Sequence, residues 1–288
     1  LSNWISLLFK IHIHPVFWFV LGIGILTASF KQLIVLFLIV FIHELGHAVA
    51  AHLFSWRIKS ILLLPFGGVA EMDEHGNRPL HEELIVVLSG PLQHVWMALA
   101  GYGLYTADVL SADLFHLFMI QNVTILLFNL LPIWPLDGGK VLFIMLSHTK
   151  PFIEAHKQAL YISTVSLAIL ILISSFLYFQ QFHLWVIISF LIISLYKEWK
   201  DRYYVYIRFL LERYQGRKLE ISSLRPLTVP PEEPLHTILQ RFQRGCKHIV
   251  IVEGKESTHQ QVDENEILHA YFTEKRIHSP INELVPFY

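Results

Sequence analysis

Apolar residues fall in long blocks over the first two-thirds of this chain and in strand-length runs after that. A bilayer core asks for about 20 apolar residues per helix, fewer where flanking groups snorkel. Six blocks meet that length, at 13–30, 33–54, 82–106, 113–132, 157–178 and 181–197, the first and last being the shortest. The spacing predicts an all-α polytopic domain of six transmembrane helices over 1–197. A linker follows at 198–222, with a charged helical stretch near 198–216, then a small α+β domain at 223–288, where charge is dense and apolar runs shrink.

The positive-inside rule predicts the sides. Lys10, Arg57, Lys59, Arg78, Lys150, Lys157, Lys197, Lys200 and Arg202 all lie in connections of one side, and the opposite connections carry only Lys31. Both termini are expected to be cytoplasmic. The first block has no small-residue cleavage site, so it reads as a membrane helix rather than a signal peptide.

The connector at 60–81 departs from a simple loop. It is apolar and β-prone, broken by Pro65 and the pair Gly67-Gly68. That pattern predicts a short membrane-associated β hairpin beside the second span, because non-helical backbone is tolerated at depth only where protein or a wet cavity covers it. An unpaired edge there could accept an extended segment by strand addition.

Composition supports the membrane class. Of 288 residues, 54% are hydrophobic and 16% charged, too apolar for an ordinary soluble domain. A net charge of −1 without a Lys/Arg cluster gives no footprint for nucleic acid. The lone Cys246 excludes an internal disulfide and a cysteine-rich zinc module, and reads as a buried, inert thiol.

Candidate chemistry sits inside the second block, at His43-Glu44-Leu45-Gly46-His47. Ionisable residues within a span are functional candidates by default. Residues four apart share a helix face, so His43 and His47 can present ring nitrogens to one ion. Glu44 lies about 100° around the helix from His43, placed to take a proton from water without ligating the metal. A catalytic zinc site has three protein ligands and an open position. Asp137 is the only aspartate between Asp113 and Asp201, and it lies where Pro132, Pro135, Gly138 and Gly139 interrupt a helix, so it is the expected third ligand. His52, His94 and His116 are weaker candidates.

Together these residues resemble the site-two protease family of intramembrane zinc metalloproteases. The resemblance rests on His43 to His47, Gly67-Gly68, Ser89-Gly90-Pro91, and Asn129 through Pro135-Leu136-Asp137-Gly138. It implies one catalytic Zn2+ held by His43, His47 and Asp137, with Glu44 as the base. Asn129, Gly67, Gly68 and Pro135 are implied to contact substrate. Many members carry Asn where this chain has His94. Similarity is strongest to the sporulation branch of the family, which implies removal of the pro-sequence of the sigma factor K precursor. It also implies membrane-bound inhibitory proteins as partners and a place in the mother-cell membrane around the forespore.

The tail resembles a single CBS motif, which implies ATP binding and pairing of two copies into a homo-oligomer. Within it, the pattern predicts a helix from Pro231 to about residue 245, strands at 248–252 and 267–272, and a final helix near 281.

Overall fold

The computed structural model describes residues 11–13, 22, 30–56, 58–64, 67–72, 78–215, 223–253 and 259–284. Nearly all of the expected first span, at 13–30, lies outside the described residues, as do Pro65 and Phe66. In chain order the described elements are β1 (Ile11–Ile13), α1 (Phe30–Leu53), β2 (Ile58–Leu64), β3 (Gly67–Met72), α2 (Leu80–Thr106), α3 (Ala112–Asn129), α4 (Asp137–Thr149), α5 (Phe152–Leu177), α6 (Phe182–Tyr214), β4 (Leu224–Val229), α7 (Leu235–Gln240), β5 (Lys247–Glu253), β6 (His259–Asp263) and α8 (Glu264–Phe272). A 3₁₀ turn at Ile281–Glu283 stands where a last helix was expected.

Four of these helices, α1, α2, α3 and α5, are long and apolar enough to cross a membrane. Their outer faces are apolar too. Trp96 and Leu99 on α2 and Phe176 on α5 are 65%, 63% and 86% exposed, a pattern that suits contact with lipid. The block at 181–197 forms the first half of α6, which continues unbroken to Tyr214, so the first part of the expected linker is helix.

Two compact units emerge. The first gathers residues 1–74, 81–141 and 162–194. Its sheet has the order β1-β2-β3. The hairpin is antiparallel, with Leu64 opposite Gly67 and Ile58 opposite Met72, and it lies along α1. Strand β1 pairs in parallel with β2 through Ile11 and Ile61, an addition that the hydrophobic pattern did not indicate.

Helices α1 and α2 approach closely because small residues line their contact, which lets backbones come together without clashing. A methyl group at Gly46 would stand 2.7 Å from Ser89 O. Ala48, Ala50 and Ala51 pack with Trp56 and Val86 in one buried cluster. Ser55, at φ 57°, turns the chain out of α1, and the Trp56 indole then donates to Glu82 at 2.9 Å at the start of α2.

The second unit gathers residues 75–80, 142–161 and 195–288. Its sheet runs β4-β5-β6, with β4 parallel and β6 antiparallel to β5. Alternation along β5 buries His248, Val250 and Val252, and Leu235, Ile238, Ile267 and Leu268 of the helices are buried in the same unit. Helix α7 ends at Gln240, earlier than expected.

The segment expected as a strand at 267–272 is instead the body of α8. A short, mostly apolar run cannot be told from a buried helical turn by periodicity alone. The local signal that decides it is Asp263, whose carboxylate accepts from Asn265 N and caps the helix. The strand that pairs antiparallel with β5 is instead β6, which ends at that capping residue.

At the centre of this unit, the Arg213 guanidinium is 2% exposed. It donates to Gln243 O at 2.8 Å, to Cys246 O, and to both carboxylate oxygens of Glu264. Glu264 Oε2 also accepts from His248 N at 2.8 Å. Burial pushes the Glu264 carboxyl up, but hydrogen bonds from His248 and Arg213 outweigh it and hold the group at about 2.

Candidate metal centre

His43 and His47 stand one turn apart on α1, both buried, with Glu44 beside them at 7% exposure. Asp137 opens α4, where Gly138 and Gly139 are required by crowding. A methyl at Gly138 would meet Leu130 O at 2.2 Å, and one at Gly139 would meet Ile133 C at 2.7 Å. The preceding turn bends back on itself through Leu136 N to Ile133 O at 2.8 Å and is tied to α5 by Trp134 N donating to Ser163 Oγ at 3.1 Å. Those restraints deliver a carboxylate from 90 residues along the chain to the histidine pair.

The three donors form a nearly regular triangle. His43 Nε2 is 3.1 Å from His47 Nε2 and 3.1 Å from Asp137 Oδ2, and His47 Nε2 is 3.2 Å from the same oxygen. Zinc–ligand bonds of about 2.0–2.1 Å in tetrahedral geometry separate neighbouring donors by about 3.3 Å. His47 Nδ1 donates to Val86 O at 2.8 Å, so in the neutral ring Nε2 carries a lone pair. Asp137 Oδ2 is buried and receives no hydrogen bond among the described residues. Lone pairs converging at such distances repel unless a cation lies between them, and the donor set suits a divalent ion that accepts imidazole and carboxylate. The other oxygen, Asp137 Oδ1, is 3.5 Å from Lys140 Nζ.

The contact of α1 with α2 is tightest here. An added methyl at Gly90 would stand 2.2 Å from His47 Nε2 and 2.8 Å from His43 Cε1. Only glycine leaves room for both rings. On the side of His43 away from Asp137, Nδ1 is 3.0 Å from His94 Nε2, and His94 Nδ1 is 2.8 Å from Asn122 Oδ1.

Of the residues singled out from the sequence, the structure gathers His43, His47 and Asp137 into one cluster, with Glu44 adjacent on the helix. Asn129 is the last residue of α3, and Pro135, half-buried after a cis Trp134-Pro135 peptide, lies in the turn before Asp137. Gly67 and Gly68 begin β3. His52 and His116 do not join the cluster. His94 lies outside the cluster but stands directly behind His43, and its partner Asn122 carried no signal in the sequence.

Comparison with known proteins agrees with this geometry. The model of Peptidase family M50 matches residues 31–110 and 106–173. Stage IV sporulation protein FB of Bacillus subtilis is 47% identical over 288 residues, covering 99% of both chains. The chain belongs to peptidase family M50. This M50 peptidase is also 33% identical to a zinc metalloprotease of Methanocaldococcus jannaschii over 179 residues, 56% of this chain and 52% of that one. A putative zinc metalloprotease of Synechocystis is 34% identical over 123 residues, 42% of this chain and 31% of the relative. The solved site-2 protease of M. jannaschii superposes with a TM-score of 0.52 at 28% identity, covering 65% of this chain and 89% of that one. The protein is therefore an intramembrane metalloprotease of the site-2 type, integral to the membrane.

Proposed function

We propose that His43, His47 and Asp137 hold one catalytic zinc ion and that Glu44 is the general base, in a protease that cuts a membrane-associated protein. The observation that carries this reading is the triangle of Nε2, Nε2 and Oδ2 atoms, each pair 3.1 to 3.2 Å apart within a buried helical setting. Zinc, when bound, supplies Lewis acidity that polarises the scissile carbonyl and acidifies water. Glu44 takes the proton from the attacking water and passes it to the leaving amine. The outer edge of β3, beginning at Gly67 and Gly68, supports docking of an extended substrate segment, since β3 is the last strand of its sheet and runs beside α1. Asn129 and Pro135 flank the turn that leads to Asp137, and they hold the substrate backbone near it.

Identity of 47% across the full length of a sporulation protein supports the finer assignment. The substrate is the sigma factor K precursor, and membrane-bound inhibitory proteins restrain the enzyme in the mother-cell membrane around the forespore. Six spans with cytoplasmic termini bring the site within reach of cytoplasmic water. In the tail, the order β4-α7-β5-β6-α8 supports a CBS-like module that binds ATP and pairs two copies.

Co-expression with the precursor, scored by size on a gel, tests the catalytic assignment. Wild-type protein converts the precursor, whereas Glu44→Gln retains zinc and leaves it whole. Undiminished cleavage by Glu44→Gln removes Glu44 as the base.

A further inference from the structure

The directions of three hydrogen bonds behind His43 are fixed by chemistry. Asn122 Nδ2 is 2.9 Å from the backbone oxygen of His94, and only the amide nitrogen can donate there. Asn122 Oδ1 is therefore the atom that faces His94 Nδ1 at 2.8 Å, and it accepts. With its proton on Nδ1, the neutral His94 ring offers a lone pair on Nε2. That lone pair, 3.0 Å from His43 Nδ1, accepts the His43 proton and leaves the lone pair of His43 on Nε2, aimed at His47 and Asp137.

All three residues are buried, His43 at 3% exposure and His94 and Asn122 at 1% each, so bulk water does not stand in for a missing partner. We infer that His94, oriented by Asn122, is a positioning residue that locks His43 in its metal-binding tautomer and sets zinc affinity. This rests on the metal site proposed above. Nothing about His94 requires it to touch zinc or substrate.

The role predicts a particular pattern of loss and rescue. Outer partners of metal-ligating histidines change metal affinity by about 10- to 100-fold when removed. Leu and Gln are close in size to each other, but only Gln can accept a proton from His43 Nδ1. The experiment measures zinc affinity of the purified full-length protein in detergent by competition with a chromophoric chelator, alongside zinc content by elemental analysis. His94→Leu is expected to bind zinc about 10- to 100-fold more weakly, and His94→Gln to stay within about threefold of wild type.

Wild-type affinity in His94→Leu overturns the inference, and so does an equal loss in the Gln and Leu variants, which marks a packing role. Should His94→Leu fail to give a monodisperse protein, Asn122→Leu decides, because it frees the His94 tautomer while leaving both imidazoles. A loss of about tenfold supports the relay, and no loss overturns it. Failure of the wild-type protein to bind zinc overturns the metal site and the relay with it, an outcome distinct from a loss confined to the variants.

Discussion

Replacing Gly90 with alanine adds one methyl group at the most crowded point of the metal centre. Its carbon would stand 2.2 Å from His47 Nε2, whereas ordinary contact begins at 3.4 Å, so the ring or the helices must part by about 1.2 Å. Metal–ligand distances tolerate about 0.2 Å, six times less. Helix α2 cannot easily retreat, because Gly46 already packs against Ser89 O and the alanines of α1 fill the adjacent space. Overpacking of this kind costs about 1–3 kcal/mol if the fold absorbs it, and a misplacement near 1 Å costs about 100-fold in rate if it does not. Zinc content, cleavage rate and detergent-phase thermal unfolding are measured together for Gly90→Ala and for Gly103→Ala on the same helix, where an added methyl meets nothing within 4 Å. Gly103→Ala is expected to be neutral or slightly stabilising. Gly90→Ala is expected to lose zinc and at least about 100-fold in cleavage. If it keeps both at the level of Gly103→Ala, the closeness of α2 to His47 has no part in building the site.

Asp137→Ala leaves two protein ligands, so dialysed protein is expected to retain no stoichiometric zinc by elemental analysis; full occupancy would place the third ligand elsewhere. In the second unit, Glu264 is held at about 2 against an ordinary 4.5, so its contribution of about 3 kcal/mol is complete above pH 5 and disappears as pH falls through 2. Acid titration followed by near-ultraviolet circular dichroism should show that loss in wild type and a smaller dependence in Glu264→Gln, and identical curves would refute the assignment. Arg213→Met strands the Glu264 carboxylate and is expected to cost about 3–5 kcal/mol in chemical denaturation of that unit. Cys246 is buried, and burial pushes its thiol up, so a maleimide should label it only after unfolding; rapid labelling of the native protein contradicts its placement.

Much of the candidate cluster was legible because its signals are local or chemically rare. His43, Glu44 and His47 declare themselves through helical spacing in an apolar span, and Asp137 through its isolation among apolar runs broken by proline and glycine. The hairpin was legible from the same kind of break. What escaped depends on partners distant in sequence. Asn122 becomes meaningful only when α3 brings it to His94, 28 residues away. The need for glycine at 90, within the motif Ser89-Gly90-Pro91, exists only against two rings on another helix. Strand β1 is three residues long and pairs with a segment 50 residues on, so no local pattern could announce it. In the tail, Ile267 to Phe272 suits a strand by residue type, and the capping carboxylate of Asp263 overrides that preference.

The two histidines of the centre are anchored in different materials. His47 leans on a peptide carbonyl, that of Val86, which every amino acid at position 86 would provide. His43 leans on a pair of side chains, either of which one codon change can replace. Half of the imidazole framework is therefore immune to substitution at its outer contact, and the other half is adjustable. Changes at positions 94 and 122 would alter the setting of His43 while leaving His43, His47, Asp137 and Glu44 themselves untouched.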